Sequence, residues 1–359
     1  MSSETNGTSI RAIGLMSGTS LDGLDIAHCT FTFKDRAVRF TINCAETIEY
    51  PLRIRELLLN AIASGAAEFC RIHTEYGKWT GLQCRDFITK HRLNPDLIAS
   101  HGHTIFHNPA EGFTTQIGSG ADIAAVTGIT TVCDFRSLDV ALGGQGAPLV
   151  PAGDQLLFSE YDACVNIGGF SNLSMTNDNH RIAWDICPAN YVLNHYASKA
   201  GMAFDKDGET ARTGKLLPGL FERLQQIEWY KLSPPKSLGR EWVESVFFPL
   251  IDKENHSIPD LLHTLTVHIA SQIANVLPDQ SDQNVLFTGG GALNIFLMEL
   301  IAKQSQCRLI IPDSLLTNYK EALIFALLGS LRILEHTNCL SGVTGARSDS
   351  VSGAVYFRR

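Results

Sequence analysis

At 359 residues, 44% of them apolar and 18% charged, the chain is longer than one hydrophobic core usually serves and has the balance of a soluble globular protein, so two domains are predicted. A net charge of −8 gives no basic footprint for nucleic acid, and the basic stretch at 231–240 is short and proline-rich. The nine cysteines are odd in number and never spaced Cys-x-x-Cys. They predict free thiols in a reducing compartment rather than a disulfide frame or a zinc site. The first nine residues are polar, and no run approaches the roughly 18 apolar residues of a membrane span. Neither a leader nor an anchor is expected, and the location predicted is cytoplasmic.

In chain order, residues 11–17, 24–33 and 39–50 read as three strands of an antiparallel meander, the second alternating through Ala27, Cys29, Phe31 and Phe33. Helical patterns follow at 53–63 and 69–91. A buried strand at 97–100 then runs into a polar loop carrying His101 and His103, the place where α/β proteins hold ligand groups. A helix at 120–127 and a strand at 130–134 close this half. Strands at 163–167, 172–176 and 181–185 repeat the opening order. Helices are predicted at 190–200, 216–228, 241–248 and 258–277, a buried strand at 285–288, a helix ending at Lys303, and a closing helix at 320–335.

Three glycine-rich turns interrupt these elements. In the first, Gly18 and Gly23 bracket Thr19, Ser20, Leu21 and Asp22, followed by Leu24 and Asp25. Open backbone amides and two hydroxyls suit phosphate oxygens, while Asp22 or Asp25 suits a hydrated Mg²⁺, with Asp22 the candidate acting through water. A tight hairpin with ordinary polar turn residues is the competing reading. The second turn carries Asn166, Gly168, Gly169 and Asn172; the third, Gly289, Gly290 and Gly291 before Asn294, lies between a strand and a helix. Neither a Gly-x-Gly-x-x-Gly fingerprint nor a P-loop occurs, so a phosphoryl-transfer protein of this sequence takes its phosphate grip from such turns.

The segments GLMSGTSLDGLD from residue 14, SHGHT from 100, DFRSLDVALGGQGAPLVP from 134, NIGGFSNLS from 166, DKDGETARTGK from 205, PPKSLGRE from 234, TGGGALN from 288, KEALIFALL from 320 and VTGA from 343 together resemble the anhydro-N-acetylmuramic acid kinase family. That family belongs to the superfamily of sugar kinases, heat-shock ATPases and actin. The resemblance implies an enzyme that uses ATP, Mg²⁺ and water to open the 1,6-anhydro bond of anhydro-N-acetylmuramic acid, a recycled cell-wall sugar, and to phosphorylate the released 6-hydroxyl. It also implies a homodimer.

By resemblance, the base that activates water is Asp185, opening a family Asp-Thr-Gly-Pro-Gly-Asn motif that here reads Asp185-Ile186-Cys187-Pro188-Ala189-Asn190. A helix-capping role for Asp185 is the alternative. The two missing glycines put the backbone path in question, since a position needing positive φ resists Cys187 or Ala189. Cys187 reads as a packing residue. His101 and His103 are expected near the sugar, with His103 standing where the family has a neutral glutamine; a zinc-binding His-x-His is the weaker reading. Gln145 and Asn190 are further substrate candidates. Arg136 is expected to pair with the lactyl carboxylate or a phosphate, against the alternative of a structural ion pair with Asp134 or Asp139. Glu321 matches a family glutamate near nucleotide and metal, or simply favours a helix start.

The fold implied is two ribonuclease-H-like α/β lobes of the actin-like ATPase kind with an interlobe cleft, lobe I at 1–134 plus 318–359 and lobe II at 135–317. Two other functions compete with the ring-opening kinase: a plain amino-sugar kinase, and a catalytically altered paralogue acting as a nucleotide-gated sugar sensor.

Overall fold

The computed structural model describes residues 7–18, 21, 23–35, 37–178, 180–234 and 236–358. The chain divides into two compact units, Met1–Phe158 with Tyr319–Arg359, and Ser159–Asn318. The strands in chain order are β1 (Thr8–Ser17), β2 (Gly23–Lys34), β3 (Ala37–Glu49), β4 (Leu97–Ser100), β5 (His103–Asn108), β6 (Phe113–Ile117), β7 (Thr131–Cys133), β8 (Ala163–Ile167), β9 (Phe170–Asn177), β10 (His180–Pro188), β11 (Asn284–Thr288), β12 (Arg308–Ile310) and β13 (Ala354–Tyr356).

In the first unit the sheet order is β13-β7-β4-β1-β2-β3. β1, β2 and β3 pair antiparallel, while β4 joins β1 and β7 joins β4 in parallel. The second unit repeats this with β10-β9-β8-β11-β12, an antiparallel meander followed by two parallel strands. Both units thus have the ribonuclease-H-like order, a mixed sheet of the actin-like ATPase class.

Burial explains the strand pattern. The first half of β2 is covered on both faces, so Leu24, Ile26, Ala27 and Cys29 are all buried, and only toward Lys34 does burial alternate. All four residues of β4 are buried. On β1, Gly14 lets the closing helix Ser314–Ile333 lie against the strand, since a Cβ there would collide with the Ala322 carbonyl. In the second unit the helix Ile258–Ala274 starts with Ser257, whose side chain accepts from the Asp260 N–H, and buries Leu262, Leu265, Ile269 and Ile273 in the core under β8 and β11.

Some elements differ from expectation. The loop predicted after Ser100 is the β5–β6 hairpin, and β12 and β13 were not predicted. The first unit extends to Phe158 rather than 134. The reason is a set of buried polar contacts: the Asp139 carboxylate takes the Gly146 N–H at 2.7 Å, the Thr344 hydroxyl at 2.7 Å and the Cys339 thiol at 3.2 Å. Asp154 pairs with Lys320 at 2.7 Å. These bonds bind 135–158 to the C-terminal segment. Among the described residues all nine cysteines are free, and no helix is long and apolar enough to cross a membrane.

Candidate functional site

In the second unit, strand register sets Thr288, Asn166, Asn172 and Asp185 side by side across β11, β8, β9 and β10. Directly opposed residues share a face, and the Thr288 hydroxyl donates to Asn166 Oδ1 at 3.2 Å. Four polar side chains therefore form one row across the sheet. Next to it, Gly168 and Gly169 turn the chain from β8 to β9. The Gly168 carbonyl accepts the Asn190 N–H at 3.1 Å, and the Gly169 carbonyl accepts those of Ala189 and Tyr191 at 2.8 and 3.1 Å. That ties the turn to the start of the helix Asn190–Ser198. Asn190 Nδ2 also reaches the Ile167 carbonyl at 3.4 Å.

The third turn packs onto the second. A Cβ on Gly289 would come 2.7 Å from the Ile167 carbonyl, and one on Gly291 would overlap the Ile167 side chain. Gly289 has φ +84°, the left-handed region glycine favours. Asn294 serves as a helix cap, its Oδ1 accepting the Leu297 N–H at 3.0 Å, where a nucleotide contact was expected.

Asp185 sits where β10 bulges, the register slipping between Asp185 and Cys187. Its Oδ2 accepts the Leu238 N–H at 2.7 Å and the Ser237 hydroxyl at 3.1 Å. Burial raises its carboxyl above the ordinary range, and those two donors oppose the rise. It caps no helix. Neither Cys187 nor Ala189 is among the positive-φ residues, so the lost glycines do not redirect this turn through that region. The Cys187 thiol is fully buried, hydrogen-bonded to Ser171 Oγ at 3.2 Å, and pushed up to about 12 by burial. It is a packing residue.

In the first unit, His101 Nδ1 lies 2.9 Å from the Gly102 carbonyl, which can only accept, so Nδ1 carries the proton. Nε2 then accepts from Arg136, from Nε at 3.1 Å and Nη2 at 2.9 Å. Burial first, and then Arg136, hold His101 well below the usual histidine range. With a guanidinium on its free nitrogen it is no zinc ligand. Arg136 Nη1 donates to the Gly146 carbonyl at 2.6 Å, and burial lowers the guanidinium to about 10. The expected structural partners are engaged elsewhere: Asp139 as described, Asp134 by capping Ser137 N–H at 3.2 Å. Gln145, by contrast, is exposed, its N–H donating to the Thr344 carbonyl at 2.8 Å.

His103 Nδ1 is 2.8 Å from Ser17 Oγ, which is 2.6 Å from Tyr50 OH, itself 2.7 Å from Tyr76 OH. Burial lowers His103 to about 4. Of the first glycine turn, Thr19, Ser20 and Asp22 lie outside the described residues. Leu21 has φ 59° and its N–H reaches the Gly18 carbonyl at 3.3 Å. Gly23 begins β2, and Leu24, expected to face a ligand, is core instead. Asp25 Oδ1 accepts the Thr47 hydroxyl at 2.6 Å. Glu321, just past the non-helical Tyr319, is raised above the carboxylate range by burial and then by Asp25.

Comparison with known proteins decides the family. The family model described as anhydro-N-acetylmuramic acid kinase matches residues 10–358. The chain belongs to the anhydro-N-acetylmuramic acid kinase family. Among similar relatives, the anhydro-N-acetylmuramic acid kinase of Pseudomonas fluorescens is 36% identical over 96% of this chain and 98% of its own. That of Pasteurella multocida is 35% identical over 96% of each, and that of Synechococcus elongatus 35% over 97% and 100%.

Within this kinase family framework, sequence reasoning left several residues unassigned. Ser17, Ser237 and Lys236 lie inside the quoted segments but are ordinary polar residues, and only the folded contacts single them out. Asp205, in DKDGETARTGK, accepts the Thr210 and Ala211 N–H groups at 2.8 Å each and so holds the first turn of the helix Glu209–Thr213.

Proposed function

We propose that this chain uses ATP and water to open the 1,6-anhydro ring of anhydro-N-acetylmuramic acid and to phosphorylate its 6-hydroxyl, giving N-acetylmuramic acid 6-phosphate and ADP. Family membership over nearly the whole length supports the reaction. The observation that carries its chemistry is Asp185, a carboxylate with raised proton affinity and one oxygen held by fixed donors. Asp185 takes a proton from water; the water oxygen bonds to the anomeric carbon; the bond from that carbon to O6 breaks; and O6 attacks the γ-phosphorus, releasing ADP.

In the second unit, the amides of Gly169, Gly290 and Gly291 receive the nucleotide beside Asn166 and Asn172, while the Gly168 and Gly289 N–H groups shape the turns by donating to the Phe170 and Thr317 carbonyls; Asn190 serves the sugar. In the first, Arg136, oriented by neutral His101 beside the sugar, binds the sugar's carboxylate, joined by His103 and Gln145. The first glycine turn, Gly18 to Gly23, serves phosphate. Asp25 and Glu321 fit Mg²⁺, because they are hard oxygen ligands and the negative charge of Asp25 already raises Glu321. The ion would neutralise phosphate charge there. The enzyme in this reading is a cytoplasmic homodimer.

The test is mass spectrometry of a reaction with anhydro sugar, ATP, Mg²⁺ and ¹⁸O-water. Label on the anomeric hydroxyl of a 6-phosphorylated product is expected, and Asp185→Asn is expected to abolish it. Phosphorylation of N-acetylmuramic acid with no turnover of the anhydro sugar would instead identify a plain sugar kinase.

A further inference from the structure

The segment 236–238 is fastened at one end and delivers two donors at the other. Lys236 Nζ donates to the Trp229 and Tyr230 carbonyls at 3.3 and 3.2 Å and lies 4.4 Å from the centre of the Trp229 ring. Tyr230 is itself held by His268, with its hydroxyl 2.9 Å from Nε2 of that buried ring. From this anchor the Lys236 carbonyl takes the Asp185 N–H at 3.0 Å, and the next two residues reach the Asp185 side chain.

Both side-chain bonds land on the same atom. Ser237 Oγ at 3.1 Å and Leu238 N at 2.7 Å meet Oδ2, and among the described residues no hydrogen bond reaches Oδ1. A carboxylate so held has one oxygen committed to the protein and one with its lone pairs available, fixed in direction by three contacts including that of its own N–H. We propose that Lys236, Ser237 and Leu238 form a positioning strap that selects Oδ1 of Asp185 as the oxygen that accepts the proton of the attacking water. This rests on Asp185 being the base. Among the described residues, no charged side chain hydrogen-bonds or ion-pairs with the carboxylate. Its cross-strand neighbour Asn172 is neutral, the Lys236 ammonium is turned to the carbonyls of 229 and 230, and the titratable side chain that feels its charge is the Cys187 thiol.

Donors to a carboxylate favour its charged form, so removing one raises its proton affinity and moves the acid limb of kcat/KM to higher pH. Ser237 is exposed, so Ser237→Ala leaves the core intact. The experiment compares wild type, Ser237→Ala, Ser237→Thr and Asp185→Asn, following ADP release between pH 5 and 9 with anhydro-N-acetylmuramic acid as substrate. For Ser237→Ala the expected result is a fall in kcat of roughly tenfold, the size of losing one hydrogen bond to a charged group, with KM for the sugar within twofold and the acid limb displaced upward. Ser237→Thr is expected to restore both. If Asp185→Asn is inactive while Ser237→Ala keeps the wild-type profile and rate, the strap is refuted and the base stands. If Asp185→Asn retains activity, the base assignment falls and the strap with it.

Discussion

Arg136 and His101 are joined by two donors on one acceptor, Nε and Nη2 of the guanidinium both reaching Nε2 of the imidazole. The ring is thereby fixed in one tautomer and kept neutral, and the guanidinium is fixed in one plane. Among the described residues no carboxylate is in ion-pair contact with Arg136, so its charge is offset only from a distance, chiefly by Glu321. An oriented cation with no counter-ion in contact is what an anionic ligand group requires.

Arg136→Lys is therefore not conservative. A lysine ammonium cannot span His101 Nε2 and the Gly146 carbonyl together in one plane. The expected loss in kcat/KM is about 100-fold, or about 2.7 kcal/mol. Steady-state ADP release measures it, with thermal unfolding as a control for folding. A loss smaller than fivefold at an unchanged melting midpoint would remove Arg136 from the site.

Buried neutral histidines predict acid lability. The folded value of His103 is depressed to about 4 and that of His268 to about 3, and burial holds His101 well below the usual histidine range too. The unfolded chain then binds protons first as pH falls. Stability is full above an unfolded value of about 6.5 and is lost downward through the folded value, and the His103 share is about 2 kcal/mol by pH 5. Urea midpoints at pH 7.5 and 5 give the check. In His103→Gln the difference between the two pH values shrinks by that share; an unchanged difference contradicts the assignment.

The meander and the buried strands were legible because alternation and apolar runs report burial directly, as in β2 and β4. β13 was not, because three residues, Ala354–Tyr356, with two exposed and one half-buried, carry no periodic signal. The boundary of the first unit was misplaced for a related reason. The bonds from Asp139 to Thr344 and from Asp154 to Lys320 join residues more than 160 positions apart, and nothing local marks them. Asp185 was reachable through its motif. That both donors fall on one of its oxygens depends on where 236–238 folds, which no spacing in the sequence encodes.

The third glycine turn separates packing from binding. A Cβ at 291 overlaps Ile167, whereas one at 290 meets nothing closer than Asn190 Nδ2 at 3.8 Å. Gly291→Ala is expected to cost about 1–3 kcal/mol of stability through overpacking. Gly290→Ala should leave the melting midpoint nearly unchanged yet raise KM for ATP several-fold, because its methyl group enters the space assigned to phosphate. Thermal unfolding and ATP titration of both variants decide this. Equal destabilisation by the two would mean that the turn's contacts are misplaced.

Lys320 and Asp154 form an ion pair at 2.7 Å with side chains only 2% and 3% exposed. Each charge has given up its water, so removing one leaves the other desolvated without its counter-charge. Lys320→Ala is expected to lower the unfolding free energy by about 3–5 kcal/mol. Replacing both with apolar residues of similar volume, Lys320→Met with Asp154→Leu, removes the charge along with its partner and should recover most of that loss, as chemical denaturation of the single and double variants would register. Lys320 also precedes Glu321 and lowers its proton affinity. The double variant also loses the Asp154 charge that raises Glu321, but the Lys320 effect is the larger of the two, so it is expected to fold well yet turn over somewhat more slowly at low pH, with Glu321 protonated over a wider range. A double variant as unstable as Lys320→Ala would mean that shape, rather than charge, dominates at this position.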